Sequence, residues 1–283
     1  MDDHFAAFSF VDRITALEPG RRARGTFAIP ADVGSFAGCL VAEAVGQLAA
    51  WVAMAHIGFR GRPVAALALE TRFLGAVAPG DTLELAVEID QCDDEAVAYR
   101  GTADVLGRRA VELNECLGPM LPVGEFDDAA ALTERFALLC GDGAPAGRFR
   151  GVTVPRVARD DGVSGESARG SLQVPVSAPF FYDHFPRRPV FPATLLLAAQ
   201  IDLALRVAAE SPLWPAGTPL VPLRMTHVKV RSFTPPGQQL VIGAEMKPAH
   251  GHTATFHLSA AADGKSVATA RVDIAPRLQG AGP

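Results

Sequence analysis

The sequence is poor in cysteine and has no excess of positive charge. Its four cysteines are scattered through 283 residues without a C-x-x-C pair, which argues against a disulfide framework or a metal site and fits a reducing cytoplasm. The formal net charge is −5, whereas a general nucleic-acid-binding protein needs Lys and Arg to neutralise phosphates. The opening residues MDDHFAAFSFVDR have neither a basic start nor a long apolar run, so we expect no signal peptide.

One apolar segment is long enough to suggest a membrane span. It covers Phe36–Gly58, with the sequence FAGCLVAEAVGQLAAWVAMAHIG. Glu43 and Gln47 lie inside it, and a charged residue within lipid costs about 3 kcal/mol. The chain is also 49% hydrophobic and 20% charged, a composition typical of a globular protein with a sizeable core. We therefore interpret the segment as a core helix and expect no membrane contact.

The chain repeats itself. The stretch ARGTFAIP at Ala23–Pro30 resembles ARGSLQVP at Ala168–Pro175, and APGDTLELAVEI at Ala78–Ile89 resembles PPGQQLVIGAEM at Pro235–Met246. Both halves show a strand, then a long apolar helix, then several strands with period-two alternation and Pro-Gly turns. This order predicts an α+β fold in which an antiparallel sheet wraps around a buried helix. Two such copies could pair edge to edge, so that one chain imitates a homodimer.

The predicted elements divide the chain into three segments. Residues 1–125 and 152–283 form the two repeats, and residues 126–151 form a linking helix and a linker. The linking helix is predicted at Phe126–Gly141, followed by the Gly-, Pro- and Arg-rich DGAPAGRFRG. Beyond the repeated first strands, further strands are predicted near 64–75, 82–90, 96–105 and 109–117, and near 220–231, 239–247, 252–260 and 266–274.

The two halves differ between the first strand and the helix. The offset between matching residues grows from 145 at the first strands to at least 155 at the helices, so the second half carries about ten extra residues there. They correspond to VSAPFFYDHF, the segment that brings His184. The first half passes almost directly from Pro30 through ADVGS into its helix.

The segment that follows carries a specific motif. HFPRRPVFPATLLLAAQ resembles the β-hydroxyacyl-acyl-carrier-protein dehydratase motif of the hotdog fold, His-Phe-Pro-x-x-Pro-Val-x-Pro-Gly-x-Leu-x-x-Glu/Asp. Two positions depart from it, because Ala193 replaces the glycine and Ala198 replaces the acid. The matching residues are His184, Phe185, Pro186, Pro189, Val190, Pro192 and Leu195.

The missing acid has a counterpart in the first half. LVAEAVGQLAA around Glu43 resembles the family's helix pattern Leu-x-x-Glu-Ala-x-x-Gln, with Gln47 in the last position. In this family each active site takes its histidine from one hotdog and its acid from the facing one. The resemblance therefore implies a double hotdog with two antiparallel sheets, each around a long central helix, forming a pseudo-dimer. One composite site would hold His184 and Glu43, and the opposite site would hold neither group.

The resemblance also implies an activity, which is the removal of water from a 3-hydroxyacyl thioester on an acyl carrier protein. His184 would take a proton from carbon 2, and Glu43 would help the hydroxyl leave carbon 3. The Ala193 N–H would stabilise the enolate oxygen, and the Val190 carbonyl would orient the histidine. Three further residues are predicted to bind substrate. They are Gln47, Phe185 and Phe191.

The resemblance implies a carrier-protein partner and no cofactor beyond the phosphopantetheine arm of the substrate. Such carriers are acidic, so Arg187 and Arg188 beside the motif are predicted contacts. Four arginines upstream fit that contact and an ordinary solvated surface equally well: Arg148, Arg150, Arg156 and Arg159. The double hotdog could also assemble further into a homo-oligomer.

Several alternatives remain open. Asp183 is interpreted as a turn residue, and Asp202 could be a displaced acid one turn beyond Ala198. The stretch HGHTATFH favours a hairpin over a metal site because no carboxylates accompany it. A thioesterase would not need the His-Phe-Pro loop, and an isomerase would use the same acid and base. The changes at Ala193 and Ala198 favour a non-catalytic binding module, in which His184 and Glu43 would lie too far apart to share a substrate.

Overall fold

The computed structural model describes residues 7–145, 148–247 and 251–277. The first half contains β1 (Arg13–Glu18), β2 (Arg22–Ala28), α1 (Gly38–His56), β3 (Gly61–Pro63), β4 (Leu67–Phe73), β5 (Thr82–Cys92), β6 (Ala96–Val105) and β7 (Arg108–Pro122). A 3-10 turn (Val123–Glu125) and α2 (Ala129–Cys140) follow. The second half contains β8 (Ala158–Asp161), β9 (Ser167–Gln173), a 3-10 turn (Pro179–Tyr182), α3 (Ala193–Ala209), β10 (Leu220–Val230), β11 (Gln239–Met246), β12 (Ala254–Ala262) and β13 (Lys265–Pro276).

The strands form one antiparallel sheet that passes through both halves. Its order is β1-β2-β5-β6-β7-β4-β10-β13-β12-β11-β9-β8, with β3 paired to β7. The halves join where β4 pairs with β10, and Glu70 lies opposite Thr226 in this register. The predicted edge-to-edge pairing of two repeats is therefore confirmed, although the two expected sheets are continuous. Since both halves follow the order predicted for a hotdog, the chain is a double hotdog.

The two long helices lie on the same side of the sheet. Helix α1 packs against β2, β5, β6 and β7, helix α3 packs against β9 to β13, and the two helices contact each other. Helix α1 is long and apolar enough to cross a membrane by length and composition, but most of it is buried inside the protein. Its apolar surface is thus covered by the sheet and by α3, as expected of a core helix.

The sequence pattern located the long strands but missed three short ones. Strands β1, β3 and β8 were not predicted, and β8 has only four residues, Ala158–Asp161, three of them charged. Short edge strands carry charge and little alternation, so they leave no period-two signal. The predicted linking helix corresponds to α2, whose N-cap Asp128 accepts hydrogen bonds from the N–H groups of Ala130 and Ala131.

The linker is more deeply embedded than its composition indicated. Phe149 is buried among the rings of Phe10, Phe27 and Phe36, with ring centroids 5.1 to 6.3 Å from its own. Residues 146–147 of the predicted linker lie outside the described residues, as do 1–6, 248–250 and 278–283 at the predicted repeats. The predicted boundaries at 125 and 151 stay predictions.

Helix α3 buries one amide with no hydrogen-bond partner among the described residues. Gln200 is fully buried, and both its Oε1 and Nε2 lack a partner there. A buried polar group without a partner costs about 1 to 3 kcal/mol, and an apolar residue of similar shape removes that cost. Gln200 therefore weakens the core of the second half.

We expect Gln200→Met to raise the free energy of unfolding by about 1 kcal/mol and the melting temperature by about 2 to 4 °C. Thermal unfolding followed by circular dichroism measures this change. The matched control is Gln173→Met, because the Gln173 amide donates to the carbonyls of Val174 and Gly237 and its loss gives no gain. A lower melting temperature for Gln200→Met would show that the amide has a partner, such as a buried water.

Candidate active site

The His184 side chain is held by the loop between β9 and α3. The 3-10 turn buries Phe180 and Phe181, and the His184 N–H donates to the Phe180 carbonyl. The His184 Nδ1 lies 2.9 Å from the Val190 carbonyl oxygen, as the resemblance implied. Because a carbonyl oxygen can only accept, Nδ1 carries the proton of the neutral ring. Nε2 is then the nitrogen with the free lone pair.

The Glu43 carboxyl is held on both oxygens. Its Oε1 accepts a hydrogen bond from Gln47 Nε2 at 3.1 Å, and its Oε2 accepts one from Thr194 Oγ1 at 2.9 Å. Gln47 comes from the next turn of α1, whereas Thr194 comes from the first turn of α3 in the other half. Sequence reasoning missed Thr194, because the motif allows any residue at that position.

The two halves bring the predicted residues to one cavity of about 210 Å³. His184 and Glu43 both line it, and so do the other predicted substrate-binding residues: Gln47, Phe185, Val190, Phe191 and Ala193. On α1 the cavity follows one face, through Glu43, Gln47, Ala50 and Met54, which are spaced three or four residues apart. An apolar channel therefore leads away from the two ionisable groups along the first half.

The environment keeps the His184 ring neutral. Burial lowers the pKa of His184 below its ordinary value of 6.5, because a charged imidazolium loses its solvation there. The negative charge of Glu43 acts in the opposite direction, and the positive charge of Arg62 lowers the pKa further. A neutral imidazole at pH 7 can accept a proton, which is the state that a general base requires.

A tyrosine and a cysteine add polar atoms to the channel. Burial raises the pKa of Tyr99 well above its ordinary value and raises that of Cys116 to about 12, so both stay protonated. The Tyr99 hydroxyl reaches the α1 backbone at Gly46, where an added Cβ would lie 3.1 Å from it. Gly46 therefore leaves room for the phenol one turn beyond Glu43.

Arg62 is a second site residue that the sequence did not reveal. Its guanidinium carbon lies 4.3 Å from the centroid of the Phe185 ring, and that ring stacks on the His184 ring at 4.1 Å. Asp127, from the predicted linking segment, forms an ion pair with Arg62. The strand that carries Arg62 is only three residues long, Gly61–Pro63, so no periodicity could have placed it.

The two arginines predicted to contact a carrier protein already form ion pairs within the chain. Arg187 pairs with Asp128 at 2.8 Å, and Arg188 pairs with Glu125 at 2.9 Å. The Arg188 guanidinium also lies 4.7 Å from the Phe233 ring centroid. Both side chains remain about half exposed. The ion pairs connect the histidine loop to the linking segment and to the 3-10 turn before it, and they partly compensate the positive charge that a carrier protein would meet.

Two aspartates depart from their expected roles. Asp202 pairs with Arg206 at 3.0 Å, is half exposed and does not line the cavity, so it is not a displaced acid of this site. Asp183 is more than a turn residue, because it is buried and its Oδ2 accepts hydrogen bonds from the N–H groups of Ala7 and Phe8. Residues so distant in sequence leave no local signal of this contact.

The His-x-His stretch remains only partly described. His250 lies outside the described residues, and within the described part of the chain no group of three or more His, Cys, Asp or Glu side chains could hold a metal ion. The expectation that this protein needs no metal or other cofactor stays a prediction.

Within the described residues, the opposite side of the pseudo-symmetric pair lacks both a histidine loop and a helix acid. Ala198 stands where the second helix would carry an acid, and the first half has no histidine loop before α1. Phe36, just before α1, packs instead with Phe10, Phe27 and Phe149. An aromatic cluster of the core thus occupies the start of α1.

Comparison with known proteins assigns this chain to a family. The model of the family described as "ApeI-like: ApeI dehydratase" matches residues 160–271. A 3-hydroxyacyl-[acyl-carrier-protein] dehydratase FabZ of Paramagnetospirillum magneticum is 34% identical over 38% of this chain and 68% of its own length. The corresponding FabZ of Clostridium acetobutylicum is 33% identical over 36% of this chain and 80% of its own length. The chain belongs to the FabZ-related hotdog dehydratases.

Solved structures show the same fold over nearly the whole of this FabZ-related dehydratase. A MaoC-like dehydratase has a TM-score of 0.52 at 13% identity and covers 92% of this chain and 98% of its own. A structure described as an oleoyl thioesterase from Lactobacillus plantarum has a TM-score of 0.60 at 9% identity and covers 91% and 97%. At such identities the likeness shows the double-hotdog fold and does not choose between the two activities.

The charges of the Arg62–Asp127 ion pair should affect the pKa of His184, because the Arg62 charge lowers it. Asp127→Asn removes the negative charge with the largest effect of the three that act on Arg62, the others being those of Glu43 and Asp183, so we expect the pKa of His184 to fall further. In Asp127→Asn with Arg62→Met both charges are removed, and the pKa should rise above that of the single variant. Each shift should be about one pH unit or less.

NMR titration of the imidazole resonances, assigned with His184→Ala, measures both shifts without relying on activity. Arg224→Met with Asp273→Asn is the control, because that pair lies outside the cavity and should leave His184 unchanged. Equal pKa values in both ion-pair variants would show that Arg62 does not act on the histidine.

Proposed function

We propose that this chain removes water from a 3-hydroxyacyl thioester carried on an acyl carrier protein and yields a 2-enoyl thioester. The observation that supports this function is that His184 and Glu43, from different halves, line one apolar cavity. The non-catalytic alternative required these two side chains to lie too far apart to share a substrate. The FabZ relatives are named for the same reaction on carrier-bound substrates.

His184 serves as the base. Its Nε2 takes a proton from carbon 2 of the substrate, while the Nδ1–H bond to the Val190 carbonyl fixes the ring and stabilises the imidazolium that forms. The stacked Phe185 ring limits rotation of the imidazole. After water has left, His184 carries the proton from carbon 2 and Glu43 is a carboxylate. Because burial disfavours the charged ring, this proton passes to Glu43, which regenerates both the base and the acid.

Glu43 serves as the acid. It transfers a proton to the hydroxyl on carbon 3, the carbon–oxygen bond breaks, and water leaves as the double bond forms. Gln47 and Thr194 hold the Glu43 carboxyl in one orientation. The side chain therefore loses little conformational entropy when it reaches the reactive geometry.

The start of α3 stabilises the negative charge on the thioester oxygen. Ala193 is the first residue of α3, and the N–H groups of Ala193 and Thr194 precede those of Leu195 and Leu196, which donate to the Pro192 carbonyl at the helix start. They carry the positive end of the helix dipole toward the cavity that Ala193 lines. Ala193 has no positive φ, so alanine replaces the family glycine without backbone strain.

The carrier protein would deliver the substrate on its phosphopantetheine arm. Arg187 and Arg188 stand beside the histidine loop with half-exposed guanidinium groups, and acidic carrier side chains would compete with Asp128 and Glu125 for them. The context we propose is cytoplasmic fatty acid or polyketide synthesis. Within this proposal the arginines act on carrier binding and not on the chemical step.

The test is to incubate the protein with a 3-hydroxyacyl carrier protein and follow the acyl mass. We expect the loss of one water in the wild type, and a loss of kcat of at least about a hundredfold in His184→Ala and in Glu43→Gln. Asp202→Asn is the control, because Asp202 lies outside the cavity, and it should keep full activity. Release of free carrier protein would instead identify a thioesterase, and an activity unaffected by Glu43→Gln would refute the acid assignment.

Thr194 should contribute to the acid step. Thr194→Val keeps the shape of the side chain but removes the hydrogen bond to Glu43 Oε2, so we expect kcat to fall about tenfold. Thr194→Ser, which retains the hydroxyl, should stay near the wild-type rate. Steady-state kinetics of dehydration distinguish the two variants, and equal rates would show that this hydrogen bond does not assist the reaction.

A further inference from the structure

The segment at residues 7–10, which we call the N-terminal strap, binds beside the catalytic histidine. The backbone N–H groups of Ala7 and Phe8 donate to Asp183 Oδ2 at 2.7 and 2.6 Å. Asp183 precedes His184 in the chain. The Phe8 ring is buried and meets the His184 ring edge to face at 5.6 Å. The strap is thus anchored to the histidine loop of the second half.

The same segment also binds beside the catalytic acid. The Phe10 N–H donates to Gln47 Oε1 at 2.7 Å, and Gln47 Nε2 donates to the Phe8 carbonyl at 2.9 Å. A backbone N–H can only donate and a carbonyl can only accept, so the strap permits one orientation of the amide. In that orientation Nε2 also donates to Glu43 Oε1. A reversed amide would bring its carbonyl oxygen, which cannot donate a hydrogen bond, to Glu43 Oε1.

The strap lies within the cavity wall. Phe8 and Ser9 line the cavity together with His184 and Glu43. Phe10 is fully buried in the cluster with Phe27, Phe36 and Phe149, which fixes the inner end of the strap. The outer end depends on Asp183, whose negative charge also acts on the guanidinium groups of Arg62 and Arg135.

We propose that the N-terminal strap is a positioning element of the active site, and that Asp183 anchors it so that the Gln47 amide is oriented toward Glu43. The strap links the histidine loop of one half to the acid-bearing helix of the other through a continuous chain of hydrogen bonds. This inference rests on the proposed role of Glu43 as the acid. It assigns to Asp183 and to the strap backbone a positioning role in the chemical step, which acts through Gln47 and not by transfer of a proton to or from the substrate.

Two substitutions at Asp183 separate anchoring from charge. Asp183→Ala removes the acceptor, so we expect kcat for dehydration to fall between about tenfold and a hundredfold while KM changes less than about twofold. Asp183→Asn removes the charge but keeps an acceptor oxygen, so it should stay within about threefold of the wild type. The matched control is Asp93→Ala in the turn between β5 and β6, which also loses bonds from two backbone N–H groups and should keep full activity.

A double-mutant cycle tests whether Asp183 acts through Gln47. Gln47→Met removes the oriented amide, so Asp183→Ala combined with Gln47→Met should be no slower than Gln47→Met alone. Hydrogen exchange should show that Asp183→Ala deprotects the amides of residues 8–10. If Asp183→Ala fails to fold, Ala7→Pro removes one anchoring N–H outside the motif and should produce a smaller loss of kcat in the same direction.

Three results would overturn the inference. They are additive losses in the cycle, equal losses for Asp183→Ala and Asp183→Asn, and an increase in KM with kcat unchanged. Glu43→Gln distinguishes failure of this inference from failure of the proposed function. If Glu43→Gln is inactive but Asp183→Ala is fully active, the strap has no positioning role. If Glu43→Gln is active, the acid assignment fails first.

Discussion

The pairing of β4 with β10 is the contact on which the remaining architecture depends. It joins two half-sheets edge to edge, so the edge strands β4 and β10 are paired with each other, and it places α1 and α3 side by side. Only with these helices adjacent can Thr194 at the start of α3 reach Glu43 on α1. Backbone hydrogen bonds between β4 and β10 therefore determine the position of the Glu43 carboxyl relative to α3.

The two halves contribute different residues to the site. The second half supplies the histidine loop and the helix start, and the first half supplies the acid and most of the channel through α1 and its strands. Asp127 of the linking segment and the N-terminal strap of the first half complete the surroundings of His184. On the opposite side, α1 begins next to an aromatic cluster in which Phe36 packs with Phe10, Phe27 and Phe149.

The sequence predicted those parts whose signal is local. The alternating strands, the two long helices and the His184 loop each carry a period or a motif within about twenty residues, and the complementary defects of the two halves located Glu43. Thr194, Arg62 and the anchoring role of Asp183 could not be found in this way. Each acts through a partner more than sixty residues away, and tertiary packing alone brings the two together.

The continuity of the chain has a consequence for how the site assembles. In a symmetric dimer the acid and the base meet only when two molecules associate, so dilution separates them. Here they belong to one polypeptide, and a linker holds the halves at an effective concentration on the order of millimolar. His184 and Glu43 are therefore brought to one cavity by folding rather than by association, and their proximity does not depend on the protein concentration.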